Sequence, residues 1–376
     1  MCYAKLFYSN YFQLVSHDMR LDGIDILRGF AVSFVVFYHF FELLNLQNHF
    51  LYTYAFSLGQ LGVPLFFVIS GYLIYHSVEA HIRQKGTFVG VRTYFLHRLF
   101  RILPAYYINF FVVFLLAYFI FGTMDTWSFS FIKREIVTHL TFTSYFIYKS
   151  SGLGINGAYW TLSIEMLWYI LAPILFILIK KDRYYGILFI VACLYILSID
   201  LHVWDDILGL SHAQSNYLPM QYFLYFQLPS QILYFLVGIF IYKYSLQTTS
   251  LRGSYFVIFF LLIASIFYML SSTSLFINIF LIKMFITLLA VFCLFLLFYN
   301  KKLEVLKPLS WIGKISYSLY LWHMPLLYAF QKYNLIHELN LMSVVALFLF
   351  SLFVISSLSY YYVEKGGFRL RHLLLK

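Results

Sequence analysis

The sequence predicts an all-α fold, a polytopic transmembrane helical bundle of about ten spans with both termini in the cytoplasm. The chain has 376 residues, of which 62% are hydrophobic and only 11% are charged, whereas soluble domains carry about 25% charged residues. Apolar runs of about 20 residues, the length that crosses a bilayer as a helix, recur along the whole chain. These runs do not alternate apolar and polar residues as the strands of a membrane barrel do.

The apolar runs predict the positions of the spans and the orientation of the chain. The spans are expected at about 25–44, 55–77, 104–122, 160–179, 184–201, 221–243, 254–271, 276–299, 311–330 and 341–363. The stretch 129–148 is amphipathic, so we expect it to lie at the membrane interface or to re-enter the bilayer. With a cytoplasmic N-terminus, 21 of the 26 Lys and Arg residues fall on the cytoplasmic side, as the positive-inside rule requires.

This topology also accounts for the formal net charge of +11, and nucleic acid is therefore not expected as a partner. No linker or low-complexity tract interrupts the chain. We expect one membrane-embedded domain over residues 1–376, with its core at about 21–371 and no additional soluble domain. The three cysteines lack the spacing of metal ligands, and no metal is expected.

Two titratable side chains lie in the first predicted span, LRGFAVSFVVFYHF. Arg28 and His39 are 11 residues apart, which on an α-helix brings them within about 20° of the same face and about 16 Å apart along the axis. A charged side chain in hydrocarbon is costly unless it faces a protein interior or a wet cavity. Arg28 alone could anchor the span at the cytoplasmic boundary, and His39 alone could make an interhelical hydrogen bond. Their shared face favours one common cavity.

Further polar residues occur in the second, third and fourth spans. Arg98 and Arg101, in HRLFRILPAYYI, share a helical face at the cytoplasmic surface, where they could grip phosphates or act as ordinary anchors. Ser70 precedes Gly71, and close helix packing by small residues is favoured over substrate contact there. Glu165, in AYWTLSIEMLWYILAP, must be paired, protonated or reached by water, which indicates a functional or site-shaping role.

Other positions mark the ends of spans or stand near them. Trp160 opens the fourth span at the outer interface, as aromatic belts do. His323 lies in ISYSLYLWHMPLLY, where a structural hydrogen bond and a catalytic role are equally consistent with the sequence. Pro104 is predicted to start or bend the third span. The closing segment YYYVEKGGFR, with Glu364 and Arg369, is predicted to be an interface and cytoplasmic anchor.

Five segments in order along the chain resemble one known family. The stretch IDILRGFAVSFVVFYH resembles the opening LDGLRG…VVxYH of the integral-membrane acyltransferase family 3, whose members O-acylate cell-surface glycans. The later motifs of that family are matched by GVPLFFVISGYLI, RLFRILPAYY, YWTLSIEMLWYILAP and ISYSLYLWHMPLL with YYYVEKGGFR. The matches run from about residue 21 to residue 371. Departures at Ile26, Pro64 and Gly366 bear on substrate contacts more than on the reaction class.

The resemblance implies an acyl-CoA, most often acetyl-CoA, as the donor substrate on the cytoplasmic side. It implies a hydroxyl of a glycan or lipid-linked sugar as the acceptor, and a location among the lipids of a bacterial plasma (inner) membrane. A homo-oligomer is left open. The alternative is a polytopic secondary transporter or exporter, since many spans with a few buried charges also describe transporters.

With this resemblance, His39 is predicted to be the general base that removes the proton of the acceptor hydroxyl. Direct transfer and a transient acyl-histidine are both consistent with the sequence. Glu165 or Asp25 would orient its imidazole or hold the acceptor sugar. Arg28 and Glu165 are also predicted to take part in catalysis. Arg28, Arg98 and Arg101 are predicted to bind the donor. The residues predicted to bind the substrate are Asp25, Ser70, Trp160 and His323.

Overall fold

The computed structural model describes residues 22–120, 127–146, 155–178, 226–245, 277–298 and 304–374, and no strand occurs in these ranges. Short 3₁₀ turns cover Ser144–Phe146 and Glu304–Leu306, and a π-helical turn covers Ser359–Glu364. The α-helices are α1 (Asp22–Leu43), α2 (Tyr52–Lys85), α3 (Thr87–Phe119), α4 (Phe129–Leu140), α5 (Tyr159–Leu178), α6 (Leu228–Ser245), α7 (Ile277–Phe298), α8 (Lys307–Lys314), α9 (Ser316–Lys332), α10 (Leu335–Glu338), α11 (Leu341–Leu358) and α12 (Lys365–Leu374).

Five stretches of the described chain are long and apolar enough to cross a membrane, namely α1, α2, α3, α5 and the continuous segment Leu341–Arg371. The all-α class is therefore confirmed for the described residues, and these five stretches indicate an integral membrane protein. Shorter apolar helical stretches cover Leu228–Lys243 and Ile286–Leu297. The predicted spans 184–201 and 254–271 lie outside the described residues, so the number of ten and the location of both termini stay predictions.

Helix α2 lies at the centre of the bundle and packs against α1, α3, α5, α6 and α7. Glycines permit its closest crossings, as small residues do between membrane helices. A Cβ on Gly62 would meet Val35 Cγ2 at 2.5 Å, and a Cβ on Gly71 would meet the carbonyl oxygen of Phe235 at 2.0 Å. The packing role predicted for the small residues around Ser70 is confirmed at these two glycines.

The third span begins earlier than the sequence predicted. Helix α3 starts at Thr87 and continues past Pro104, so Pro104 does not start it, which was one of the two roles that we expected for this residue. Gly86, with φ of 77°, separates α2 from α3, and its N–H caps the carbonyl of Ile82. Left-handed backbone of this kind favours glycine because a side chain would be strained there. The segment before Pro104 is helical because one of its faces, including Tyr94, is buried.

The end of the chain also departs from its predicted role. Glu364, predicted to belong to an interface and cytoplasmic anchor, is only 4% exposed, and Ser318 Oγ donates a hydrogen bond to its Oε1 at 2.5 Å. The π-helical turn Ser359–Glu364 adds a residue to the helical repeat and so changes which side chains face α9. The amphipathic stretch predicted at 129–148 contains α4, a short helix whose Glu135 and His139 are buried.

Candidate functional site

One cavity collects polar side chains from five helices of the bundle. It has a volume of about 730 Å³, including space open to solvent. Six of its polar lining residues are Arg28 from α1, Ser70 from α2, Arg98 and Arg101 from α3, Glu165 from α5 and Tyr320 from α9. Three arginines and one glutamate line it, so its walls carry a net positive charge that favours an anionic ligand.

Arg98 is held at the cavity wall by packing and by one hydrogen bond. Its Nη2 donates to the carbonyl oxygen of Leu73 at 3.1 Å, and its guanidinium carbon lies 5.8 Å from the ring centroids of both Tyr94 and Tyr169. The residue is 8% exposed, and its buried Nε has no hydrogen-bond partner among the described residues. A buried donor of this kind fits an anion, because an unmet polar group in the interior is costly.

Arg101 lies one helical turn from Arg98 on the same face of α3, as the sequence spacing predicted. Arg28 reaches the cavity from α1, and its Nη1 is 4.0 Å from Asp25 Oδ1. Asp25 itself is 2% exposed and does not contribute to the cavity wall. The structure therefore makes Asp25 a neighbour of Arg28, and the substrate contact predicted for it stays a prediction.

Glu165 receives two hydrogen bonds on the same carboxylate oxygen. Ser70 Oγ donates to Oε1 at 3.0 Å and Tyr169 OH donates to it at 2.9 Å. Ser70 thus faces the cavity, whereas its neighbour Gly71 makes the helix crossing that the sequence assigned to this region. Tyr169 stands four residues after Glu165, a helical spacing at which side chains meet, so this partner could have been found from the sequence.

His39 lies outside this cavity and is paired with His323. His323 Nε2 is 3.1 Å from His39 Nδ1, and the ring centroids are 5.1 Å apart. His323 is fully buried and does not line the cavity, so its side chain packs against His39 instead. Tyr320 connects the two regions, because it lines the cavity and its ring centroid is 5.5 Å from that of His323.

The pair corrects two expectations about His39. The side chains suggested to orient its imidazole, Glu165 and Asp25, contact other groups instead. Asp25 is 14 residues before His39, about 21 Å along one helix, so it cannot reach the ring. The shared face of Arg28 and His39 also does not place both residues in this cavity, because its lining includes Arg28 and not His39.

Trp160 is likewise not a cavity residue. It is 8% exposed and packs against Phe226, with ring centroids 4.6 Å apart, and edge-on against Phe67 at 6.1 Å. The structure thus places it in an aromatic cluster, and the substrate contact predicted for it stays a prediction.

The sequence did not predict Tyr320 and Thr161 as site residues, although both line the cavity. The hydroxyl of Tyr320 is 2.8 Å from Thr161 Oγ1 and donates to the carbonyl oxygen of Ala158 at 3.1 Å. These residues come from segments about 160 positions apart in the chain, so no local pattern links them.

Helices that cross a membrane around an arginine-lined cavity define an integral membrane protein with a site suited to an anionic substrate. Residues 21–361 match the family described as "Acyltransferase domain". The chain belongs to this acyltransferase family, which confirms the resemblance found in the sequence motifs.

Two named proteins are similar to the chain. A protein of Acidianus two-tailed virus, named "Putative acetyltransferase ORF330", is 28% identical over 302 residues, which cover 79% of this chain and 81% of the viral protein. "Nodulation protein 10" of Rhizobium leguminosarum bv. viciae is 29% identical over 168 residues, which cover 41% of this chain and 44% of that protein. No solved structure matches the chain significantly.

Proposed function

We propose that the protein is a membrane O-acyltransferase that moves an acyl group, most simply acetyl, from cytoplasmic acyl-CoA to a hydroxyl of a cell-surface glycan or lipid-linked sugar. The membrane would be a bacterial plasma membrane. The observation that carries the proposal is the convergence of Arg28, Arg98 and Arg101 on one cavity beside Glu165. Membership of the acyltransferase family supports the reaction class.

The arginines would bind the donor through its phosphates. Guanidinium groups hold phosphate oxygens through paired, charge-assisted hydrogen bonds. Arg98 has an unmet buried Nε for such a bond, and Arg101 lies on the same face of α3. Arg28, on a different helix, would hold the arm of the donor deeper in the cavity. Net positive walls would also attract the anionic donor before it binds.

Glu165 would serve the acceptor. Both of its hydrogen bonds among the described residues end on Oε1, which leaves Oε2 to accept a hydrogen bond from a sugar hydroxyl. The bonds from Ser70 and Tyr169 would fix the carboxylate, so that little rotational freedom is lost when the acceptor binds. Pre-oriented groups of this kind lower the barrier to reaction.

His39 would be the general base. Its neutral ring removes the proton of the acceptor hydroxyl while the hydroxyl oxygen bonds to the acyl carbon of the thioester. The carbon–sulfur bond breaks, and the ring returns the proton to the departing thiolate. His39 does not line the described cavity, whereas Tyr320, beside its partner His323, does. The proposal therefore requires the site to extend past Tyr320 to His39 when substrates are bound. General acid–base assistance accelerates such transfers by about 10²–10⁴-fold.

The test is an assay in native membranes with labelled acetyl-CoA, in which free thiol and label in the glycan and lipid fractions are measured together. We expect His39→Ala to lower kcat by about 10²–10⁴-fold at normal expression. Unchanged transfer by this variant would reject the base assignment. Movement of a glycan across the membrane without thiol release would favour a transporter instead.

Donor binding has its own test with a matched control. We expect Arg98→Gln combined with Arg101→Gln to raise KM for acetyl-CoA by about 10–100-fold, since hydrogen bonds to charged groups contribute about 1.5–3 kcal/mol. Arg92 is exposed on the same helix, so Arg92→Gln removes a charge without touching the cavity and should leave KM unchanged. If the double variant has the same KM for acetyl-CoA as Arg92→Gln, this cavity is not the donor site.

A further inference from the structure

We infer that His323 is a positioning residue that fixes the ring and the tautomer of His39, so that Nε2 of His39 is the basic nitrogen. The inference rests on the proposed function, in which His39 takes the hydroxyl proton. It goes further, because neither the family match nor the similarity to named proteins assigns His323 a role. It follows from two hydrogen bonds and from what each atom in them can donate.

The first bond sets the tautomer of His323. Its Nδ1 is 2.6 Å from the carbonyl oxygen of Tyr320, and the residue is fully buried. A carbonyl oxygen only accepts hydrogen bonds, so Nδ1 must carry a proton. No Asp or Glu lies within 4.0 Å of either ring of the pair in the described part of the chain. An imidazolium without a counter-ion is costly in the interior, so the ring is neutral and its Nε2 holds the lone pair.

The second bond constrains the tautomer of His39. Nε2 of His323 lies 3.1 Å from Nδ1 of His39, and since Nε2 can only accept, Nδ1 must donate. A neutral His39 then has its proton on Nδ1 and its lone pair on Nε2. The backbone carbonyl of Tyr320 therefore acts through His323 to set which nitrogen of His39 can act as a base, alongside the hydrogen bond that the His39 ring makes to the backbone of Val35. The nitrogen distal to His323 is the one left for the substrate.

The same arrangement stabilises the charged form of His39 during transfer. When Nε2 takes the hydroxyl proton, the ring becomes an imidazolium whose Nδ1–H still points at a lone pair. Hydrogen bonds with a charged donor are shorter and stronger than neutral ones, so this bond strengthens as the acyl group moves. When the carbon–sulfur bond breaks, Nε2 returns the proton to sulfur and His39 regains its starting tautomer. His323 keeps one proton throughout.

His139 offers a comparison within the same chain. Its Nδ1 also bonds to a backbone carbonyl, that of Glu135 at 2.8 Å, and the residue is 1% exposed. Its Nε2, however, has no hydrogen-bond partner among the described residues. A buried histidine anchored on a carbonyl is therefore not by itself a relay. What distinguishes His323 is that its remaining nitrogen meets a second imidazole.

Two amide substitutions separate positioning from packing. The side chain of Gln at position 323 can place an acceptor oxygen near the former Nε2, so His323→Gln should keep the bond to Nδ1 of His39. The shorter Asn can replace only the Nδ1 contact with the carbonyl of Tyr320, so His323→Asn should lose it. Both variants are polar and similar in size. A loss of packing alone would therefore not make His323→Asn much less active than His323→Gln.

The experiment uses the full chain in lipid nanodiscs, with acetyl-CoA as donor and a native glycan-lipid extract as acceptor. We expect His323→Asn to lower kcat by about 10–100-fold, the effect of one hydrogen bond to a charged group, with KM for acetyl-CoA unchanged. We expect His323→Gln to recover most of that loss. His139→Asn is the control and should keep the kcat of the wild type per folded molecule.

The outcomes separate this inference from the function on which it rests. If His39→Ala retains transfer, the base assignment fails and the role of His323 fails with it, whereas the proposed acyltransferase function fails only if the wild type transfers no acyl group. If His39→Ala is inactive while His323→Asn has the kcat of the wild type, only the inference is overturned. Equal losses in folded His323→Asn and His323→Gln would also overturn it. Bound acetyl-CoA, measured by calorimetry, verifies that each variant is folded.

Discussion

The substitution Gly71→Ala tests one of the closest helix crossings among the described residues, that of α2 with α6. A Cβ at this position would lie 2.0 Å from the carbonyl oxygen of Phe235 on α6, and 2.7 and 2.8 Å from its carbonyl carbon and Cα. Ordinary contacts begin at 3.4 Å, so the two helices would have to separate locally by the difference, 1.4 Å. The obstructing atoms are backbone, which cannot turn aside as a flexible side chain can.

The cost of that separation can be estimated from what it disturbs. Phe235 is fully buried, and its ring stacks on Phe67 at 4.7 Å and on Trp168 at 4.6 Å. Overpacking typically costs about 1–3 kcal/mol, and each aromatic pair contributes about 0.5–1.5 kcal/mol beyond its buried area. We therefore expect a loss near the upper end, about 3 kcal/mol, which lowers the thermal midpoint of a chain of 376 residues by roughly 4 °C.

The assay is thermal unfolding of the detergent-solubilised protein at one fixed scan rate, because membrane proteins can unfold irreversibly. Gly366→Ala is the matched control, since a Cβ there meets nothing within 4 Å and alanine is favoured over glycine in a helix by about 0.5–1 kcal/mol. It should melt at or slightly above the temperature of the wild type. If Gly71→Ala and Gly366→Ala melt together, the reasoning about the crossing is wrong.

Four further outcomes are expected. Glu165→Gln keeps the acceptor oxygen for its two hydrogen bonds but loses the charge, so transfer should fall by at least about tenfold with an unchanged thermal midpoint; a normal rate would remove Glu165 from the site. Asn156, fully buried, donates to the carbonyl of Leu321 and caps α5, so Asn156→Ala should cost about 1–3 kcal/mol in the same melting assay. Glu364→Ala should cost a similar amount because it removes the acceptor of a buried bond, whereas an unaffected midpoint would show that this bond does not stabilise the fold. Burial lowers the pKa of His139 from 6.5 to about 4, so protonation favours the unfolded chain as the pH falls through that window. The thermal midpoint of the wild type should therefore drop more between pH 7 and pH 5 than that of His139→Gln. Equal drops in the two proteins would contradict this.

The sequence predicted the helices well where the bilayer itself imposes the pattern. A span must be apolar for about 20 residues, and α1, α5 and α11 begin within a few residues of the predicted spans for that reason. It failed at the start of α3, because the part of that helix before Pro104 is amphipathic and shows no uniform apolar run. It also failed at Glu364, because a short polar segment has the same composition whether it is exposed or buried.

The site divides in the same way between local and distant information. Helical spacing alone placed Arg98 and Arg101 on one face, and it predicted that Arg28 and His39 share a stripe of α1. It could not say how far the cavity extends along that stripe, because other helices form the opposite wall. Glu165 and Ser70 are 95 residues apart, and His39 and His323 are 284 apart.

By itself, therefore, the sequence determined the membrane class, the family and the residue types available for acyl transfer, since those follow from composition and from motifs read in order. The tertiary structure decided which of these residues meet. Helix crossings such as that of Gly71 with Phe235 depend on the shapes of two distant surfaces, and the close approach they allow brings side chains from five helices to one cavity. The partner of His39 was decided in this way, because hydrogen bonds between helices depend on packing rather than on the helical repeat.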